Sequence, residues 1–98
     1  MRIPRYATER GIMASNADRF IEVLTAQYRD LFANDPEYAY SAQRTTPEAL
    51  AAKMTVGLAK GSANKDGLGI RRTCAHFGLP YTYKAIRAFL TAEAPPNG

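Results

Sequence analysis

Between residues 16 and 90, apolar side chains recur every three or four positions, in runs punctuated by capping and stop residues. No stretch alternates at period two with β-branched residues. A helix repeats every 3.6 residues and a strand every two, so this pattern commits the chain to packed helices. The clearest run is 16–33. Phe20, Val23, Leu24, Tyr28, Leu31 and Phe32 form one broad stripe, with Asp18, Glu22, Arg29 and Asp30 outside it. Ser15 or Asn16 supplies the short oxygen-bearing side chain that satisfies free N–H groups at its start.

Asn34-Asp35-Pro36 ends this helix and starts a short one over 37–44. Tyr38 and Tyr40 fall on opposite sides of that piece, so at most one of them faces the core. Thr46-Pro47-Glu48 starts a third helix: a cap, a proline at the first helical position, and an acid at the positive helix end. It runs to about Lys60, where Gly61 stops it. The face expected inward is Leu50, Met54, Gly57 and Leu58, flanked by Ala51, Val56 and Ala59. Residues 61–67 are a loop by composition. A fourth helix is expected over 66–77 with Ile70, Cys74 and Phe77 inward, ended by Gly78. Pro80 then opens a fifth, reaching residue 90 or 91 on Ala85, Ile86, Phe89 and Leu90.

The expected architecture is therefore all-α: a small bundle of four or five short helices in a single domain over 15–92. A length of 98 residues leaves room for one domain. Residues 1–14 are expected to be a flexible arm, or an extension upstream of Met13, and 93–98 a frayed tail. The core of so short a chain is marginal. Helix one has more large apolar side chains than one side of a tiny bundle needs, so homodimerisation through it is expected to add burial.

Charge is unevenly spread. Thirteen Lys and Arg against nine Asp and Glu give +4 overall. Residues 1–52 sum to −1 and residues 53–92 to +6, with no acidic residue between 67 and 92. A basic body of this kind suits a polyanionic partner. One cysteine excludes an intrachain disulfide scaffold, and no apolar run is long enough to span a membrane. The opening dozen residues lack the apolar stretch of a signal peptide, so a cytoplasmic protein is expected.

Residues 70–90 read IRRTCAHFGLPYTYKAIRAFL. A short helix ends in Phe77-Gly78-Leu79, and a second begins with polar and aromatic residues before turning amphipathic. Cys74, a small residue four before the glycine, lets two helices approach. This stretch resembles the helix-turn-helix of bacterial DNA-binding proteins. The resemblance implies that helix five lies in the major groove of double-stranded DNA in a transcription-regulating or accessory role. Tyr81, Lys84 and Arg87 would share its outer side, and Arg71 and Arg72 on helix four would reach the backbone. The match departs at one place: six residues after the turn glycine the family has an apolar residue and this chain has Lys84, as if the second helix starts late or is rotated. The segment is also similar to small proteins of bacteriophages and mobile elements. That likeness implies a helical protein that binds and modulates a protein partner without catalysis.

Enzymatic chemistry finds no support in the residues. Cys74 and His76 are the only cysteine and histidine, and two positions apart on a helix they point away from each other. One of each cannot make a structural zinc site, so no metal is expected. Lys60-Gly61-Ser62 follows a helix instead of a strand and does not match a phosphate-binding loop, and no cofactor is expected. The carboxylates are scattered over helix surfaces with no pair placed as acid and base. Tyr81 and Tyr83 straddle the start of helix five, where tyrosines beside Lys and Arg can stack on bases of single-stranded nucleic acid. Tyr83 is expected to pack inward beside Ile86 instead, and Tyr81 stays open between such stacking and a place on the rim.

Overall fold

A computed structural model describes residues 15–92. The arm expected over 1–14 and the tail expected over 93–98 lie outside the described residues. Those described form an all-helical bundle: α1 Asn16–Asn34, a 3₁₀ turn Pro36–Tyr38, α2 Ala39–Arg44, α3 Pro47–Lys60, α4 Leu68–Phe77 and α5 Tyr83–Thr91. None of these helices is long and apolar enough to cross a membrane.

Local signals set most of the boundaries. Ser15 Oγ accepts from the Asp18 N–H, and the Asp18 carboxylate accepts in return from the Ser15 N–H, closing a capping box. Thr46 Oγ1 accepts from the Ala49 N–H, with Pro47 in the first turn of α3. Gly61 ends α3 and Gly78 ends α4. Gly78 takes φ +68°, a left-handed conformation, while the Leu79 N–H donates to the Cys74 carbonyl at 2.9 Å. A side chain there would meet steric strain, which is why the chain reverses at a glycine.

The centre of the bundle is α1. Phe20, Leu24, Tyr28 and Leu31 are buried along it, and α3, α4 and α5 all pack around it. The stripe that suggested pairing through this helix is thus covered by helices of the same chain. At one end, Phe20 stacks on Phe77 of α4 at 6.1 Å between ring centroids, and Phe89 of α5 lies 5.0 Å from Phe77. At the other, Tyr28, Phe32 and Tyr38 form a second aromatic cluster. Tyr38 faces the core and Tyr40 is exposed, as their opposite positions require. Asn16 Nδ2 donates to the Phe89 carbonyl at 3.1 Å, so the start of α1 satisfies an acceptor in the last turn of α5.

Three expectations are corrected. First, α3 is rotated: it buries Ala51, Thr55 and Leu58, while Met54 and Gly57 are half-buried and Val56 is half-exposed. Leu58 fits both faces, but the small Ala51 lets α1 approach closely and so decides which is covered. Second, α4 begins at Leu68, two residues late, because Gly67 at its cap has φ +127° and no side chain to bond the helix start. Third, Pro80 does not open α5. Thr82 caps it, its Oγ1 accepting from the Ala85 N–H at 3.1 Å, so residues 78–82 form a five-residue turn. The late start foreshadowed by Lys84 is real, and the link is longer than the three or four residues of a tight helix-turn-helix.

Rotation of α3 also leaves a cost. Thr55 is 1 % exposed, and its hydroxyl has no hydrogen-bond partner. A buried unpartnered hydroxyl loses its water without compensation. Thr55→Val keeps the shape and removes the polar atom. We expect it to raise unfolding free energy by about 1 kcal/mol in urea denaturation; a loss of stability would mean that the hydroxyl has a partner in solution.

Candidate nucleic-acid interface

The residues expected to meet nucleic acid separate into three groups. Lys84 and Arg87 project from the exposed side of α5, and among the described residues no carboxylate lies within ion-pair distance of either. They are one turn apart, so their charges sit side by side. Arg87 Nη1 reaches towards the end of α3: a methyl group on Gly61 would stand 3.9 Å from it. Carbonyls at a helix C-terminus carry partial negative charge, which favours a cation at that end.

Arg71 and Tyr81 form the second group. Tyr81 precedes α5 and does not share its outer side with Lys84 and Arg87. Its ring is half-buried against the core, and its hydroxyl donates to the Lys65 carbonyl at 2.8 Å. The Arg71 guanidinium lies 4.7 Å from the ring centroid and the Lys65 ammonium 4.1 Å. Both cations are drawn to the electron-rich ring face. Arg71 itself stays exposed.

Arg72 stands apart. Its Nη1 meets the Asp30 carboxylate of α1 at 2.9 Å. The Arg72 hydrogen bond, then one from Asn34, holds the Asp30 carboxyl below its ordinary range. Arg72 is thus committed to a tie between α1 and α4. Its spacing gave no sign of this, because the partner lies 42 positions away.

The inward placement expected of Tyr83 is corrected. Tyr83 is half-exposed, and Tyr81 is the one packed inward. Tyr83 is the first residue of α5, and its hydroxyl is engaged by the 61–67 loop instead of the core. The Tyr83 hydroxyl donates to Asn64 Oδ1 at 3.2 Å and accepts from the Lys65 N–H at 3.3 Å. Together the two hydroxyls fasten the 61–67 loop to the start of α5.

Lys65 is the residue that sequence reasoning missed. Its side chain is 20 % exposed, it lies over both tyrosine rings, and Asp66 is 4.0 Å away. It lies in a loop with no periodic pattern, so only the fold brings it to the site. Cys74 is buried nearby. Burial raises its thiol above the ordinary range against the opposing Lys65 charge, which fits a packing role and not a reactive one. His76 is exposed, its ring edge against Phe77.

The fastened loop and α5 enclose a groove of about 650 Å³. One wall is Tyr83, Lys84, Arg87, Ala88 and Thr91, which are all the exposed residues of α5. Opposite stand Leu58 and the 61–63 turn. The solvent face of α5 is therefore one side of an open groove. Chemically, the site offers two cations with no carboxylate partner among the described residues, one half-exposed ring and the small hydroxyls of Ser62 and Thr91. No family model matches this sequence, and the comparisons found neither a similar curated protein nor a similar solved structure.

Proposed function

We propose that this protein binds nucleic acid, double-stranded DNA in the first instance, in a regulatory or accessory role. The observation that carries the reading is the pair Lys84 and Arg87: exposed, one turn apart, and without a carboxylate partner among the described residues. Arg71, steadied by the Tyr81 ring, extends the cationic surface towards α4. Residues 53–92 bear +6, and the one acid among them, Asp66, pairs weakly with Lys65. Such a surface binds phosphates by releasing their counterions, so affinity falls steeply as salt rises. Arg72 is assigned to the Asp30 tie and not to the contact surface. A cytoplasmic setting accords with this role.

The test is a titration of a labelled random-sequence duplex at two salt concentrations, with the double variant Lys84→Ala/Arg87→Ala alongside. Each lost phosphate contact lowers the slope of log affinity against log salt by about 1, so the double variant is expected to lower it by about 2. Both residues are exposed, so the variant should unfold at the same urea concentration as the parent. Absence of binding at low salt would reject this reading and favour a protein partner, whose interface would show little salt dependence.

A further inference from the structure

The groove between α5 and the 61–63 turn narrows what the basic surface can accept, an inference that rests on the nucleic-acid reading above. We infer that this groove takes an unpaired segment of DNA, with a base against Tyr83 and its phosphates on Lys84 and Arg87.

The first argument is shape. A helix that reads duplex DNA must enter the major groove, about 12 Å wide, with its outer face leading. Here every exposed residue of α5 lines a cleft whose other wall is Leu58 and the 61–63 turn. That wall stands beside the face a duplex would approach. Duplex phosphates reach Lys84 and Arg87 only from the rim, whereas a single strand is slender enough to enter. The volume, about 650 Å³, falls within the range of pockets that hold small ligands, about 300–1,000 Å³.

The second argument is chemistry. Single-strand sites combine cations that track the backbone with aromatic rings on which bases stack. Tyr83 is 50 % exposed on the groove wall. Its hydroxyl bonds to Asn64 and Lys65, and the Lys65 ammonium lies 5.2 Å from its ring centroid. The ring is thus held in place before any ligand arrives, which reduces the ordering cost of binding.

The third argument separates this ligand from an acidic peptide helix. A helix docking in a groove needs deep apolar pockets for its anchor side chains. Leu58 is 3 % exposed, and the other apolar surface is the Tyr83 ring with the methyls of Ala63, Ala88 and Thr91, spread along an open groove with no deep anchor site. Charge and stacking remain, and a flexible polynucleotide strand supplies both.

Fluorescence anisotropy would decide it, using a labelled twelve-nucleotide oligothymidine, a duplex of the same length and a polyglutamate peptide in one low-salt buffer. The single strand is expected to bind at least tenfold more tightly than the duplex. Ala88→Leu fills the groove without changing charge at an exposed position. It should weaken single-strand binding about tenfold and leave duplex binding unchanged. Tyr83→Ala should cost about tenfold in single-strand affinity, and Tyr83→Phe, which keeps the ring, much less. Salt-sensitive binding to both DNAs, with no single-strand preference and no effect of Ala88→Leu, would overturn the groove assignment and leave the basic-surface reading standing. A loss below twofold in Tyr83→Ala would remove stacking and overturn it too, as would tighter binding of polyglutamate. No binding to either DNA would defeat both readings.

Discussion

Phe20→Ala is expected to lower unfolding free energy by about 3–5 kcal/mol, enough to leave much of so small a protein unfolded at 25 °C. The Phe20 side chain is wholly buried and meets Phe77 of α4 and Phe89 of α5 at centroid distances of 6.1 and 6.4 Å. Truncation therefore empties the point at which three helices converge. No neighbouring side chain spans that space alone, so the cavity collapses only in part, and the cavity cost adds to the lost transfer energy. The damage extends to the candidate site, because Phe89 seats the helix that carries Lys84 and Arg87. Urea denaturation gives the stability change, and Phe20→Leu is the control that retains most of the volume. A loss under 1 kcal/mol for the alanine variant would show that the three rings do not form a shared core.

Gly69→Ala is expected to destabilise by about 1–3 kcal/mol, although alanine is the better helix former. Gly69 lies in the first turn of α4, and a methyl group there would collide with the Tyr28 ring. Tyr28 cannot swing away easily. It is 3 % exposed, packed against Phe32 and Tyr38, and burial together with the neighbouring Tyr38 pushes its hydroxyl above the ordinary range. The Gly69 N–H also donates to the Tyr38 hydroxyl at 3.3 Å, so displacement of α4 strains a second contact. On propensity alone the substitution would stabilise by about 1 kcal/mol, so the sign of the change distinguishes close packing from helix preference. Tyr28→Leu/Gly69→Ala should recover part of the loss, because the shorter side chain makes room for the methyl.

These two sites also mark the limit of what local pattern reveals. The aromatic stripe of α1 is readable from spacing, and Phe20 is an evident core residue. Gly69 carries no such signal, because its meaning depends on Tyr28, 41 positions earlier. The same holds at the candidate site. Lys84 and Arg87 stand exposed on α5, as the residues predicted. Arg72 has the same charge and sits beside Arg71, yet Asp30 of another helix engages it. Lys65 lies in a loop with no periodic pattern, and hydrogen bonds with Tyr81 and Tyr83 bring that loop to the start of α5.

By itself the sequence determined the helical class, the order of the helices and most of their ends. Those features rest on hydrogen bonds spanning three to five residues: the Ser15 and Thr46 caps and the reversals at Gly61 and Gly78 all close within one turn. Pro80 is the start signal read before α5, and the Thr82 cap displaces it. Tertiary structure decided that start, the rotation of α3 that buried Thr55, the outward placement of Tyr83, and the groove itself. Each depends on which surfaces meet across the bundle. A helical period fixes that a face is apolar, but the sizes and shapes of distant side chains fix what it packs against.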